Sequence, residues 1–233
     1  MLRFSHVGGL DWPLVLQEAR HTAEKRTVDT VKKVLESAPP RKFKESVEIS
    51  FNLKDVDLSV PKNRVDVEVA LPKGRGKAIK ICLIGSAELA LKAKNVADLV
   101  IQPDQLEELA GNKKKVRDLA RKFDFFIAEA PLMPVIGKRM GQILGPHGKM
   151  PKPILPNADP VPTITAMRST VRVKSGERRT FHAPVGTRDM TPEDIAENVD
   201  FLFKRVLTKL ERGRFNIHSA YLKTTMGPAV RFL

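Results

Sequence analysis

The sequence predicts an α+β protein with an inserted α/β domain. A discontinuous, split β-α-β antiparallel-sheet domain is built from both ends of the chain, and a Rossmann-like parallel-sheet domain lies between them. Three observations predict this. Toward both ends, apolar and polar residues alternate with period two, as in strands with one wet face. In the middle, short runs that are apolar on both faces alternate with helical patterns, as in a parallel sheet covered on both sides. Two crossings rich in Gly and Pro, LPKGRGK and LGPHGKMPKPILPNADPVP, separate the two styles and make a hinge the expectation. The predicted boundaries are an N-terminal extension over 1–26, the discontinuous domain over 27–75 and 156–233, and the insert over 76–155.

VDTVKKVLES (28–37) reads as the first helix of the discontinuous domain, with Val28, Val31, Val34 and Leu35 on one side, Thr27 as N-cap, and Pro39 and Pro40 beyond its end. FKESVEISFNLK then alternates: Phe43, Val47, Ile49, Phe51 and Leu53 face one way, and Lys44, Ser46, Glu48, Ser50, Asn52 and Lys54 the other. RVDVEVAL repeats the pattern after a PKN turn, which gives an antiparallel signature. IKICLIG, ADLVI and DFFIAEA are the strands of the insert. ELALKAKN, DQLEELAG, KKKVRDLARKF and PLMPVIGKRMGQIL are its helices, and the crossing after the last of these is too rich in Gly and Pro for regular structure. STVRVKS and FHAPVG return to strands. Thr191-Pro192 opens a helix that buries Ile195, Val199, Leu202, Val206 and Leu210 and stops at Gly213, and NIHSAYLK is the final strand before KTTMGPAV.

A net charge of +14 on 233 residues points to a polyanionic partner. No apolar run reaches the roughly 20 residues of a membrane span, and MLRFSHVGGLDWPLV makes a poor signal peptide, so a soluble intracellular protein is expected. A single cysteine, Cys82, rules out an internal disulfide, and the five histidines lack metal-ligand spacing, so neither metal nor cofactor is expected. A nucleotide-dependent enzyme using the insert is the alternative class. IGSAELA lacks the glycine spacing of a dinucleotide loop, however, and GPHGK departs from a phosphate-binding loop at Ile143 and Met150. Basic residues are spread over Arg41, Lys42, Lys44, Lys113–Lys115, Arg139, Lys149 and Lys152. With one Trp and one Tyr in the chain, they fit recognition of folded RNA by shape and phosphates better than stacking of many single-stranded bases.

MGQILGPHGKMPKP (140–153), KTTMGPAV (223–230) and RKFKESVEISFNLKDVDL, joined in colinear order by VEVALPKGRGK, DFFIAEAPLMP and DMTPEDIAENV, strongly resemble the L-one family of large-subunit ribosomal proteins in its archaeal form. The resemblance covers about residues 27–230, so 1–26 are extra. It implies a non-enzymatic constituent of the cytoplasmic ribosome, neither membrane-bound nor a homo-oligomer. Its partners would be the stalk of large-subunit ribosomal RNA near the exit site, the deacylated exit-site transfer RNA whose release it helps, and its own messenger, whose translation it represses. An RNA-binding regulator that never enters ribosomes is a third possibility. The resemblance assigns RNA contacts to Phe43, Glu45, Ser46 and Glu48, with Lys42 and Lys44 on nearby phosphates, and to Ser219, Thr225, Met226 and Gly227. Ser46 stands where many members have Thr. Weaker RNA contacts are assigned to the insert's loop at Gly145, Gly148, Lys149 and Pro151, where His147 replaces a usual Arg. In KTTMGPAV, Gly227 is expected to let an RNA backbone approach, Thr225 to meet a 2′-hydroxyl or phosphate, and Met226 to pack on sugar or base.

Overall fold

The computed structural model describes the backbone of residues 12–93, 96–156 and 158–233, and side chains from residue 25 onward apart from 107 and 110. The chain divides into two compact units, 1–73 with 171–233 and 74–170. The first crossing falls within two residues of the predicted 75/76, at Gly74 and Gly76, both in the left-handed region (φ +68° and +70°) that glycine tolerates best. The second lies at 170/171, 15 residues beyond the predicted 155/156. The difference comes from a helix in the supposedly irregular crossing, Pro160–Arg168, which is capped by the Asp159 side chain on Val161 N and buries Ile164 and Met167 against the insert's core.

In unit 1, helix α1 (Trp12–Ser37) precedes strand β1 (Ser46–Leu53) and β2 (Asp66–Ala70). After the insert come β7 (Thr170–Lys174), β8 (Thr180–Thr187), α7 (Pro192–Lys209), β9 (Ile217–Thr224) and β10 (Val230–Arg231). The main sheet has the order β10-β9-β1-β8 and is antiparallel throughout. Val47, Ile49, Phe51 and Leu53 of β1 all enter the core, where Phe51 stacks between Phe181 of β8 and Phe203 of α7 (centroids 5.2 and 6.1 Å). The alternate side chains Ser46, Glu48, Ser50 and Asn52 stay half-buried on the other face. Thr191 caps α7 as predicted, accepting from Asp194 N at 3.2 Å.

Three expectations are corrected. Thr27 is not an N-cap: α1 is helical from Trp12, and Thr27 lies buried within it, donating to Asp200 Oδ1 on α7 at 2.9 Å. Phe43 is not part of the strand's apolar face, because β1 starts at Ser46 and leaves its ring 52% exposed. β2 does not pair with β1; it joins β7 in a separate two-stranded sheet, where Arg172 grips Asp66 in a two-pronged bond of 2.9 and 2.7 Å. The strand β10 beyond KTTMGPAV is absent from the sequence reading. Residues 1–11 of the extension lie outside the described residues.

Unit 2 runs β3 (Ile81–Ile84), α2 (Ala87–Ala93), β4 (Leu99–Ile101), α3 (Pro103–Gly111), α4 (Lys113–Lys122), β5 (Phe125–Glu129), α5 (Met133–Leu144), β6 (Lys152–Ile154) and α6 (Pro160–Arg168). Its sheet is parallel with order β4-β3-β5-β6. Neighbouring residues serve opposite cores: Cys82, Ile84, Phe126 and Ala128 pack under α3, α4 and α5, while Ile81, Leu83 and Ile127 pack under α2 and α6. This explains why these strands read as continuous apolar runs. The three-residue β6 lies in the crossing expected to be irregular, and α6 begins in its last residues.

Asn198 is the one fully buried amide of α7. Its Nδ2 donates to Val185 O at 2.9 Å and its Oδ1 accepts from Lys73 N at 3.1 Å, tying the helix to β8 and to the first crossing. Asn198→Leu strands both backbone groups and is expected to lower unfolding free energy by about 2 kcal/mol in urea titration.

Candidate nucleic-acid interface

The residues of unit 1 singled out by sequence gather at one end and one face of its sheet. β1 and β9 run antiparallel with Val47 opposite Thr224, so the start of β1 and the end of β9 meet. Across the open face, Glu48 lies between Pro184 and Lys223, Ser50 between His182 and Tyr221, and Asn52 between Thr180 and Ser219. Asn52 Nδ2 donates to Ser219 Oγ at 2.8 Å, and Thr180 Oγ1 donates to Asn52 Oδ1 at 2.9 Å, so this end of the face is a fixed polar chain. At the other end, Met226 is 57% and Phe43 52% exposed. Beside Phe43 a shallow groove of about 390 Å³ is lined by Arg41, Lys42, Lys44, Arg188 and Asp189.

Glu45 is wholly buried beneath this end. Its carboxylate accepts from Arg188 Nη1 at 3.0 Å, from Thr224 Oγ1 at 3.3 Å and from Met226 N at 3.1 Å. Arg188 also donates to Pro39 O and Ala38 O, each at 3.1 Å, and its backbone N–H donates to Glu45 O at 3.0 Å. One ion pair therefore ties the exit of α1, the entry of β1, the end of β8 and the 224–227 loop together. Glu45 was expected to contact RNA, but its geometry makes it the loop's internal anchor. Arg188 is missing from the sequence-based set because nothing in its neighbourhood, GTRDM, distinguishes it from a surface charge.

The loop itself is equally constrained. Thr225 Oγ1 accepts from Ser46 N at 3.1 Å and donates to Ser46 O at 3.3 Å, and Thr225 N donates to the same carbonyl at 3.0 Å. Its hydroxyl has spent its proton inside the protein and keeps one lone pair, so it can accept from a 2′-hydroxyl but cannot donate to a phosphate. Gly227 N donates to Thr224 Oγ1 at 2.9 Å, and a Cβ at residue 227 would press into that oxygen and stand 3.0 Å from Ala38 Cβ. The close approach that requires glycine is thus made by the protein's own hydroxyl and helix end. Among the cations, Lys44 Nζ pairs with Asp189 at 2.8 Å, which raises the lysine's pKa chiefly through that hydrogen bond. Lys42 is exposed and has no carboxylate partner among the described residues.

The insert's loop is arranged differently. Lys149 Nζ turns inward and donates to Ala120 O and Phe123 O, each at 2.8 Å, capping the end of α4. Pro151 is buried, Gly148 makes a turn at φ +65° with its N–H on Gly145 O, and Pro146 and His147 are exposed. Of the four residues assigned there, Lys149 and Pro151 serve the unit's own fold.

A nucleotide site fares worse. In a doubly wound sheet the crevice at the carboxyl ends of the strands, where the chain order reverses, takes the ligand. Here that crevice lies between β3 and β5, and the Glu129 carboxylate at the end of β5 sits at its mouth, accepting from Ser86 N at 2.8 Å. A second carboxylate-facing anion such as a phosphate would meet like charge. Cys82 is buried in the strand and its thiol is pushed up to about 12 by desolvation, so it is no nucleophile near neutrality.

The model of the ribosomal protein L1p/L10e family matches residues 32–228. The chain belongs to that family. Relatives agree along nearly the whole length. The large ribosomal subunit protein uL1 of Methanocella arvoryzae is 50% identical over 212 residues, 91% of this chain and 100% of the relative. Those of Thermoplasma acidophilum and Thermoplasma volcanium are 52% and 51% identical, covering 88% and 86% of this chain and 94% and 93% of theirs. The family is one of structural ribosomal proteins and not of enzymes.

Glu45→Gln replaces an acceptor of three donors by a group that turns N–H toward one of them. We expect a loss of about 2 kcal/mol in thermal or urea unfolding, below the full value for a buried pair because Arg188 is 31% exposed. Cys82 is expected to resist iodoacetamide at pH 8 in the folded chain and to react once urea exposes it, as read by mass spectrometry.

Proposed function

We propose that this protein is a constituent of the large ribosomal subunit that binds the ribosomal RNA stalk near the exit site through the sheet end and open face of unit 1. Through that attachment it helps deacylated transfer RNA to leave, and it represses its own messenger by binding a similar RNA fold. The observation that carries the reading is the pre-set surface around the 224–227 loop. A rigid loop displays Met226, one free lone pair of Thr225 and the half-buried Glu48 and Lys223, with the unpaired Lys42 and the exposed Phe43 beside it. Cations give affinity that any RNA shares, whereas fixed hydroxyls, backbone and small apolar groups sort one folded RNA from another.

The interface divides accordingly. Met226, Thr225, Phe43, Ser46, Glu48 and Ser219 supply fit, Lys42 supplies charge, and Glu45 and Gly227 hold the loop. Lys44 can donate to a phosphate with the N–H groups its pair with Asp189 leaves free, and giving up that exposed pair would cost little. The insert contributes through Gly145, Gly148 and the exposed turn around His147, with Lys149 and Pro151 acting from within.

On a stalk RNA fragment, Met226→Asp is expected to weaken binding at least fivefold, roughly 1 kcal/mol, with the salt slope unchanged. Lys42→Ala is expected to lower the slope by up to about one unit. Filter binding across a salt series reads both. Full affinity of Met226→Asp would place the RNA elsewhere, and a protein that sediments apart from large subunits in moderate salt would count against the ribosomal role.

A further inference from the structure

We infer that the opposite end of the unit 1 sheet is a second RNA contact, in which the ring of Phe215 stacks on an unpaired base while Arg212 and Arg214 take the adjoining phosphates. The inference rests on the functional reading above and adds a site to it. Phe215 is 79% exposed, the most open of the large apolar side chains among the described residues. Its backbone is also held still. It stands in a single 3₁₀ turn, Gly213–Asn216, which follows α7 through Gly213 at φ +51°. Asn216, buried to 3%, closes the turn: its Oδ1 accepts from Arg212 N at 2.8 Å and its Nδ2 donates to Lys54 O and Asp55 O at 3.3 Å. Its backbone carbonyl accepts from Lys54 N at 2.8 Å, which locks the turn to the end of β1. A ring carried on a fixed backbone turn leaves only its own side-chain rotation to be lost on binding, and a flat apolar face open to water is what a base stacks on.

A single exposed apolar residue is ordinary on a protein surface. Two features set Phe215 apart. Neither Arg212 nor Arg214 has a carboxylate partner among the described residues, so two free guanidinium groups sit one and three positions from the ring. The same arrangement also occurs at the other end of the sheet. Phe43, the other strongly exposed phenylalanine of unit 1, follows Arg41 and Lys42 directly before β1, just as Phe215 follows Arg212 and Arg214 directly before β9. β1 and β9 are antiparallel, with Leu53 opposite Ile217, so the two basic-aromatic tips lie at opposite ends of eight-residue strands, about 24 Å apart along the sheet. Free cations beside the ring favour a nucleic acid over an apolar protein partner.

The test uses the full-length chain with two probes, the stalk RNA fragment and deacylated transfer RNA. In a Trp12→Phe background, whose RNA affinity is first matched to the unmodified chain, Phe215→Trp introduces the only indole. Stacking predicts quenching of that indole by one or both RNAs. Phe215→Ala should weaken the same RNA at least fivefold, and Arg212→Ala with Arg214→Ala should reduce its salt slope by one to two units. Which RNA responds tells whether the base comes from the ribosomal stalk or from the transfer RNA. The inference is overturned if the unmodified chain binds but the indole stays unquenched by both RNAs and Phe215→Ala remains within twofold. It also fails if Phe215→Leu binds as well as the unmodified chain, since an aliphatic contact is then sufficient. It fails again if Phe215→Ala leaves both RNA affinities intact yet loosens the protein in reconstituted large subunits, which would make the partner a protein. A chain that binds neither RNA overturns the functional reading itself.

Discussion

Strand β1 receives its hydrogen-bonding partners on both edges from chain far beyond the insert. Thr180 on β8 is 128 positions from its cross-strand partner Asn52, and Ser219 on β9 is 167 positions away. Everything else in unit 1 follows from this constraint. The aromatic stack at the centre of the core under β1 forms because β8 brings Phe181 and α7 brings Phe203 against Phe51. The open face has side chains from three strands only because the two registers hold Glu48, Ser50 and Asn52 in line with their partners on β8 and β9. Closing such distant pairs is costly in chain entropy, although the cost grows only logarithmically with the length of the excursion. A self-contained unit of about a hundred residues can therefore sit inside another without undoing it.

The proposed recognition end shows a second consequence. Side chains at an RNA surface must be both exposed and fixed, and those demands conflict for a loop. Unit 1 resolves the conflict by burying one carboxylate. Glu45 gathers Arg188, the Thr224 hydroxyl and the Met226 amide, so the charge lies under the loop and the uncharged groups lie on top. A buried carboxylate is tolerable here because three donors meet it. In a protein of net charge +14, this leaves the most closely fitted part of the surface free of the nonselective attraction that the surrounding lysines and arginines provide.

Much of this was legible in the sequence because period two and unbroken apolar runs are direct imprints of one-sided and two-sided burial. The alternation 47–53, the two-faced strands 81–84 and 125–129 and the Thr191 cap all follow from local chemistry. What escaped depended on distant partners. α6 hides in a proline-rich stretch because Pro160 and Pro162 sit in its first turn, where the missing N–H groups are no loss. Phe43 shares the parity of Val47 and Ile49, and only the start of the ladder at Ser46 shows that it falls outside the sheet. The site residues were found by motif, but their division into contacts and supports was invisible. Glu45 and Glu48 read alike, and nothing in a single chain says that Arg188, 143 positions on, will claim the first of them. The inward turn of Lys149 onto the end of α4 is of the same kind.

The long excursion between β1 and its partners also bears on synthesis. A ribosome makes this chain from the amino end, so α1, β1 and the whole insert are translated before residue 180 can pair with residue 52, and before residues 224–227 can settle on Glu45. The insert has its own two cores and can fold while it waits. The proposed RNA surface of unit 1 cannot, because its loop is written last and its anchor near the beginning. On the proposed function, a nascent copy is blind to the RNA around it until translation has passed residue 227, and the order of translation keeps the unfinished protein from occupying a site meant for the finished one.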